Sequence, residues 1–207
     1  MGIKETLINR IVDLEWHLFQ HVQGLDGPAG CQQDRKTFEV MRTGQATSWS
    51  TAVLESYLED LASARAEGRN LMAEKYARMM AATAPQAYAE IDDQLPHLTP
   101  SVEAMISEIT ETVVAWQEQL EGAYPHILKR GRPLRQSADA SGITSFETYL
   151  RGELATYSER TLQHYLEHVR RQHAAGINGA RITLAYMVAQ YGYGSLEAAN
   201  QAFGNSA

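Results

Sequence analysis

Laid over itself with a shift of 108 residues, the sequence aligns 38–80 with 146–188 without a gap, and thirteen of those 43 positions are identical. Ordinary residue usage would supply about two or three matches over such a span. The shared residues are the ones that set a chain's path. They include Phe38/Phe146, Gly44/Gly152, Ser50/Ser158, Leu54/Leu162, Tyr57/Tyr165 and the corner Gly68-x-Asn70 against Gly176-x-Asn178. Serine and asparagine accept from the free N–H groups that open a helix, and glycine takes the left-handed conformation that closes one. Thr37 and Ser145 are expected to cap the helices ahead of Phe38 and Phe146, and Trp49 and Tyr157 are equivalent aromatics. Trp16 and Trp116 match only at a shift of 100, so the connecting loops differ in length. Two copies are too few for a solenoid. The expectation is one compact domain over 1–207, with unit one at 1–95 and unit two at 99–205 packed about an approximate two-fold axis, each burying a stripe it could not bury alone.

The spacing of apolar residues makes the fold class all-α, with about ten helices. Leu7, Ile8, Ile11, Leu14, Leu18 and Val22 recur at helical intervals and predict a helix over 3–23. Residues 24–36 read as a loop containing Cys31-Gln32-Gln33-Asp34, and helices follow over the Phe38–Trp49 stripe, after Ser50, and after Asn70. Thr99-Pro100 is a cap followed by proline at the first helical position, opening a helix through Val102, Ile106, Ile109, Val113, Trp116 and Leu120. After a loop over 122–144, helices are expected at about 145–156, 159–175 and 179–191 and after Ser195. No segment alternates as a strand does.

A net charge of -7 argues against a broad nucleic-acid surface, which needs clustered lysine and arginine. The short basic runs Lys129-Arg130-Gly131-Arg132 and Arg170-Arg171 read as solvated loop and helix-end charge. A single cysteine, Cys31, excludes an internal disulfide framework and suits a reducing compartment. Charged residues interrupt the N-terminal apolar pattern and no long apolar run follows, so no membrane partner is expected and the simplest address is the cytoplasm.

Phe146-Glu147-Thr148-Tyr149-Leu150-Arg151-Gly152-Glu153-Leu154, together with Gly68-Arg69-Asn70-Leu71 and Glu74-Lys75-Tyr76-Ala77-Arg78-Met79-Met80, resembles a bacterial family catalogued only as domain-of-unknown-function family 4125. The resemblance runs nearly end to end and takes in Leu14-Glu15-Trp16, Cys31-Gln32 with Asp34, Phe38-Glu39, Met41-Arg42 and Tyr157-Ser158. It implies no reaction, because none is assigned to that family.

Several constellations have a chemical and a plainer reading. His17 and His21, four apart, have the spacing of two metal ligands, but they fall away from the leucine stripe and read better as a solvated pair, so no metal site is assigned. His164, His168 and His173 follow the polar side of their helix. Cys31 could act as a nucleophile near a helix start, yet no histidine stands in its motif to serve as base. Glu15, between Ile11 and Phe19, and Glu153, between Tyr149 and Tyr157, are more telling, since charges rarely sit on core faces unpaired. Overlay of the halves sets Arg42 against Leu150 and Gln45 against Glu153, so Arg42 and Glu153 can pair if the stripes face each other. A carboxylate-bridged di-metal centre would use such glutamates, but its Glu-x-x-His pairs are missing. No glycine-rich phosphate loop, Ser-His-Asp order or Cys-x-x-Cys is present, so nothing assigns a cofactor.

The leading expectation is a small-molecule-binding protein or enzyme. Its polar site would lie between the halves, lined by Glu15, Arg42, Gln45, Trp49, Glu147, Arg151, Glu153 and Tyr157, with arginine for an anionic group, glutamates for an amine or proton, and aromatic walls. The rival is a non-enzymatic helical interaction module in which these polar groups are structural. The sequence names neither an oligomeric partner nor a reaction.

Overall fold

The computed structural model describes residues 2–23, 27 and 30–205, with only the backbone described at Cys31. The expectation that Cys31 could be a nucleophile therefore lies outside the described side chains, as do residues 24–26 and 28–29 of the loop around it. Among the described residues there are eleven α-helices and no strand. They are α1 (Ile3–Phe19), α2 (Arg35–Thr47), α3 (Thr51–Ala66), α4 (Leu71–Thr83), the single turn α5 (Pro85–Tyr88) and α6 (Pro100–Ala123). The chain continues through the single turn α7 (Pro125–Leu128), α8 (Phe146–Leu154), α9 (Glu159–Ala174), α10 (Gly179–Gln190) and α11 (Leu196–Gly204). No helix among these residues is long and apolar enough to cross a membrane.

The expected loop over 122–144 contains the end of α6 and the single turn α7. Two further boundaries differ from the sequence expectation, each for a local reason. The first helix stops at Phe19 rather than running to 23, because the Gln32 side-chain amide donates to the carbonyls of Phe19 and Val22 at 2.7 and 3.0 Å. A side chain from the next segment thus satisfies the carbonyls at the end of the helix. The second helix starts at Arg35 because Asp34, not Thr37, is its cap: the carboxylate accepts from Thr37 N at 3.0 Å and from Thr37 Oγ1 at 2.7 Å.

From Ser50 and Ser158 onward the segments related by the shift of 108 residues share their caps and, to within a residue, their bounds, whereas α2 and α8 begin at non-equivalent residues, capped by Asp34 and Ser145 respectively. Helices α3 and α9 both have sixteen residues and follow Ser50 and Ser158, each of which accepts from the third residue on. At the corners Gly68 and Gly176 have φ of 71° and 68°, and the next residues, Arg69 and Ile177, donate back to Ala64 O and Gln172 O, both at 2.8 Å. This is the closure a left-handed glycine permits at a helix end. Asn70 and Asn178 then cap α4 and α10, and their amides reach the carbonyls of Leu18 and Trp116 at 2.9 and 3.1 Å. One asparagine in each segment thus ends a turn, opens a helix and ties it to α1 or α6.

Packing is reciprocal between these segments. Helix α1 lies on α3 and α6 on α9, α3 and α9 meet each other, and α2 packs on α10 while α8 packs on α4. The last two contacts are close because a glycine sits at each. A Cβ on Gly152 would lie 3.0 Å from Lys75 O and 2.9 Å from Met79 Cγ, and one on Gly44 would lie 3.4 Å from Thr183 O and 3.1 Å from Met187 Cγ. Ile11, Leu54, Ile109, Leu154 and Leu162 are among the fully buried side chains of the core that these contacts close. Each contributes about 2 kcal/mol through removal of its apolar surface from water.

Candidate functional site

Arg42 and Gln45 stand one turn apart on α2 and face Glu153 on α8. Behind them α1 supplies Glu15, α3 supplies Tyr57 and α4 supplies Lys75. The Arg42 guanidinium lies between two carboxylates: its Nε donates to Glu15 Oε2 at 2.8 Å and its Nη2 to Glu15 Oε1, while Nη1 donates to Glu153 Oε2 at 2.9 Å. Nη1 also reaches Gln45 Oε1 at 2.7 Å, and Gln45 Nε2 donates to Glu153 Oε1 at 2.6 Å. Lys75 Nζ donates to Glu153 Oε2 at 2.5 Å and sits 3.5 Å from the centre of the Tyr149 ring. Tyr57 and Tyr157 add hydroxyl donors, to Glu15 Oε1 at 2.7 Å and Glu153 Oε1 at 2.8 Å.

All four charged residues are buried, so the balance of charge decides whether the cluster is tolerable. Glu15 and Glu153 offset Arg42 and Lys75, leaving no net charge inside. An uncompensated ion there would cost several kcal/mol. Burial by itself pushes the Glu153 carboxyl up, but Arg42 and Lys75 together overcome it and hold the group well below the usual carboxylate range. Burial likewise disfavours the Arg42 cation, and Glu15 and Glu153 reverse that, raising its pKa well above the ordinary value. The Tyr57 and Tyr157 hydroxyls are pushed well above the usual phenol range, first by burial and then by the carboxylates they bind, Glu15 and Glu153 respectively.

Of the eight residues expected at a site, six meet here. Glu15, Arg42, Gln45 and Glu153 form the polar cluster, and Trp49 and Tyr157 stack beside it with Tyr57 and Tyr165. Trp49 meets Tyr57 edge-on at 5.7 Å, and the Tyr57 and Tyr157 ring centres lie 4.6 Å apart. Glu147 and Arg151 point elsewhere: Glu147 accepts from Gln136 N at 3.0 Å, and Arg151 reaches Ser107 Oγ on α6 at 3.5 Å. The pairing of Arg42 with both glutamates also changes the expected chemistry, because these ions satisfy one another rather than awaiting a ligand. Arg42, not an ion from solution, stands between Glu15 and Glu153. Among the described residues no group of three or more His, Cys, Asp and Glu converges as metal ligands would. His17 on α1 and His21 just beyond it are exposed, their tilted rings 4.8 Å apart between centres. His168 departs from the polar-side expectation: it is half-buried with its Nε2 2.7 Å from Ser48 O, and burial lowers its pKa.

A cavity of about 870 Å³ opens against the cluster, between α2, α6, α8 and α10. Arg42, Gln45 and Glu153 form part of its wall, and Phe38, Trp116, Leu134, Phe146, Leu184 and Met187 supply much of the rest. Gln117 also lines it and carries a buried side-chain oxygen with no hydrogen-bond donor. Both repeated segments therefore contribute to one concave, largely apolar space with a polar side. Its size falls in the range of about 300–1,000 Å³ typical of small-molecule sites.

Lys75 and Tyr57 were absent from the sequence expectation, although a signal for Lys75 existed. It falls with Met72, Tyr76 and Met79 at intervals of three and four residues, which puts a lysine on the core-facing stripe of α4. Tyr57 stands in the sequence only as the match of Tyr165, and nothing local marks its hydroxyl as a partner of Glu15. The cavity depends on the distance between helices and has no local signature.

A family model described as Protein of unknown function (DUF4125) matches residues 5–201. No curated protein and no solved structure matches the chain.

Proposed function

Since the chain belongs to this family of unknown function, whose description assigns no reaction, we propose from the geometry that it is a small-molecule-binding protein whose ligand occupies the cavity between α2, α6, α8 and α10. The carrying observation is the cavity itself, about 870 Å³ of mainly apolar wall with Arg42, Gln45 and Glu153 on one side. In this reading the ion cluster is the rigid polar wall, already satisfied within itself, and the ligand meets the unclaimed oxygen of Gln117. A soluble cytoplasmic binding protein, without nucleic-acid or membrane partners, is the simplest setting for it.

We further infer that the two segments are halves of one domain, 1–95 and 99–205, related by an approximate two-fold axis. The matched caps and corners, the reciprocal packing of α2 on α10 and α8 on α4, and the contact between the equivalent residues Gln45 and Glu153 support this. The rival, a helical module whose polar cluster is wholly structural, is favoured by one observation: every guanidinium nitrogen of Arg42 is already engaged by Glu15, Glu153 or Gln45.

The discriminating experiment is titration with a polarity-sensitive naphthalene dye. Saturable binding of one dye per chain is expected, and it should be lost in Met187→Trp, which fills the cavity, while the helical circular dichroism stays unchanged. Absence of saturable binding to the wild type, or full retention in the filled variant, would overturn the proposal.

A further inference from the structure

We propose that the cavity ligand is an amphiphile with a single anionic head, a carboxylate or a phosphate monoester, and that Arg130 and Arg132 receive that head. The proposal deepens the small-molecule reading above and rests on it. Sequence alone makes Lys129-Arg130-Gly131-Arg132 a solvated loop, and Arg130 and Arg132 are exposed; the fold also sets both at the border of the cavity. Neither forms an ion pair among the described residues, whereas Arg35, Arg135, Arg160 and Arg170, equally at the surface, each bind a carboxylate.

Both guanidinium groups are oriented by rings that also line the cavity. The Arg130 guanidinium carbon lies 4.6 Å from the centre of the Phe203 ring and that of Arg132 lies 5.0 Å from the Tyr149 ring. Stacking of this kind fixes the plane of the fork while its N–H groups stay available. Arg132 spends one donor on Thr144 O at 3.2 Å. Two forks with open donors suit a planar carboxylate or a phosphate, which take parallel charge-assisted hydrogen bonds.

Electrostatics and lining set the rest of the ligand. Three carboxylates share the lining: Asp34 is engaged with Thr37, Glu153 is inside its ion pairs, and Glu121 forms no ion pair among the described residues. The two arginines therefore outweigh the one uncommitted carboxylate, and a cationic head is disfavoured. The walls beyond them, Leu134, Phe146, Leu184 and Met187, are apolar and call for a hydrocarbon or aromatic body.

The test is calorimetric titration of the full chain with four ten-carbon probes: decanoate, decyl phosphate, decanol and decylamine. Wild-type protein should bind decanoate or decyl phosphate at least tenfold more tightly than decanol, with decylamine weakest, and the stronger of the two anions identifies the head group. In Arg130→Gln/Arg132→Gln the anion should fall to the level of decanol, with decanol unchanged. Equal binding of decanoate, decyl phosphate and decanol by the wild type, or undiminished anion binding by the double variant, overturns the head-group proposal and leaves the cavity reading standing. Absence of saturable binding for all four probes overturns both.

Discussion

Gln45 and Glu153 occupy the same place in the two repeated segments, and they touch: the Gln45 amide donates to the Glu153 carboxylate at 2.6 Å, across 108 residues of chain. Under the two-fold arrangement proposed above, equivalent positions meet only at the axis, and this contact would set an amide against an acid there. The acid requires cations, and Arg42 and Lys75 on the first segment provide them. Neither has a charged counterpart in the second, where Leu150 and Thr183 stand.

The four buried ions should behave as two neutral pairs. Lys75→Met alone strands a negative charge beside Arg42 and is expected to cost about 3–5 kcal/mol in urea unfolding. Adding Glu153→Gln removes the stranded charge and keeps Arg42 with Glu15, so the double variant should recover about 1–3 kcal/mol relative to the sum of the single effects. Strict additivity would show that Lys75 and Glu153 are not coupled.

Tight glycine contacts should differ between the two segments. Gly152→Ala forces a methyl to 3.0 Å from the Lys75 carbonyl, which cannot move without α4, and is expected to cost about 2–3 kcal/mol. Gly44→Ala meets the flexible Met187 side chain first, at 3.1 Å, and a carbonyl, that of Thr183, only at 3.4 Å, so about 1 kcal/mol or less is expected. Equal losses in thermal or urea unfolding would contradict this ordering.

Stability should fall at both ends of the pH scale. Glu153 has a depressed pKa in the folded state, so its contribution is present above the unfolded value of about 4.3 and is lost as acid protonates it below that. Tyr57, Tyr157 and Tyr165 have raised pKa values: burial is the first cause in all three, and it carries Tyr165 to about 12. Above about pH 10 the unfolded phenols ionise while the buried ones do not, and each then removes about 1.4 kcal/mol of stability per pH unit. For Tyr165 the loss runs from about pH 10 to 12. Tyr165→Phe should flatten the alkaline slope of urea midpoints; an unchanged slope would refute the assignment.

The two corner asparagines should be interchangeable in energy. Asn70→Ala and Asn178→Ala each remove a cap and a bond to a neighbouring helix, Leu18 or Trp116, and each is expected to cost about 1–2 kcal/mol. A cost at one corner with none at the other, measured by chemical unfolding, would separate two sites that the shared sequence makes alike.

Much of this was legible because the signals are local. Ser50, Ser158, Asn70 and Asn178 cap helices within three residues of where they stand, and the Gly68 and Gly176 corners need only their own φ. Asp34 displaced Thr37 as a cap because both residue types can cap, and side-chain geometry chose between them. Arg42 and Glu153 could be set together by overlaying the stripes, and Glu15 could be flagged as a charge on an apolar face. That Glu15, too, binds Arg42 depends on how α1 lies across α2, which no spacing in either helix records. Arg130 and Arg132 are exposed, as a basic loop should be, but nothing in their spacing records that they also border a cavity.

The crossed packing of α2 on α10 and α8 on α4 also bears on how the chain is made. When α2 leaves the ribosome, the helix that covers Gly44 is still more than a hundred residues from synthesis, and Arg42 has Glu15 but not Glu153. At about 5–20 residues per second, that surface stays bare for on the order of ten seconds. The first half is thus born with one face unfinished, and protection of the nascent chain by a chaperone matters most in that interval, before α8 and α10 arrive to close both clasps.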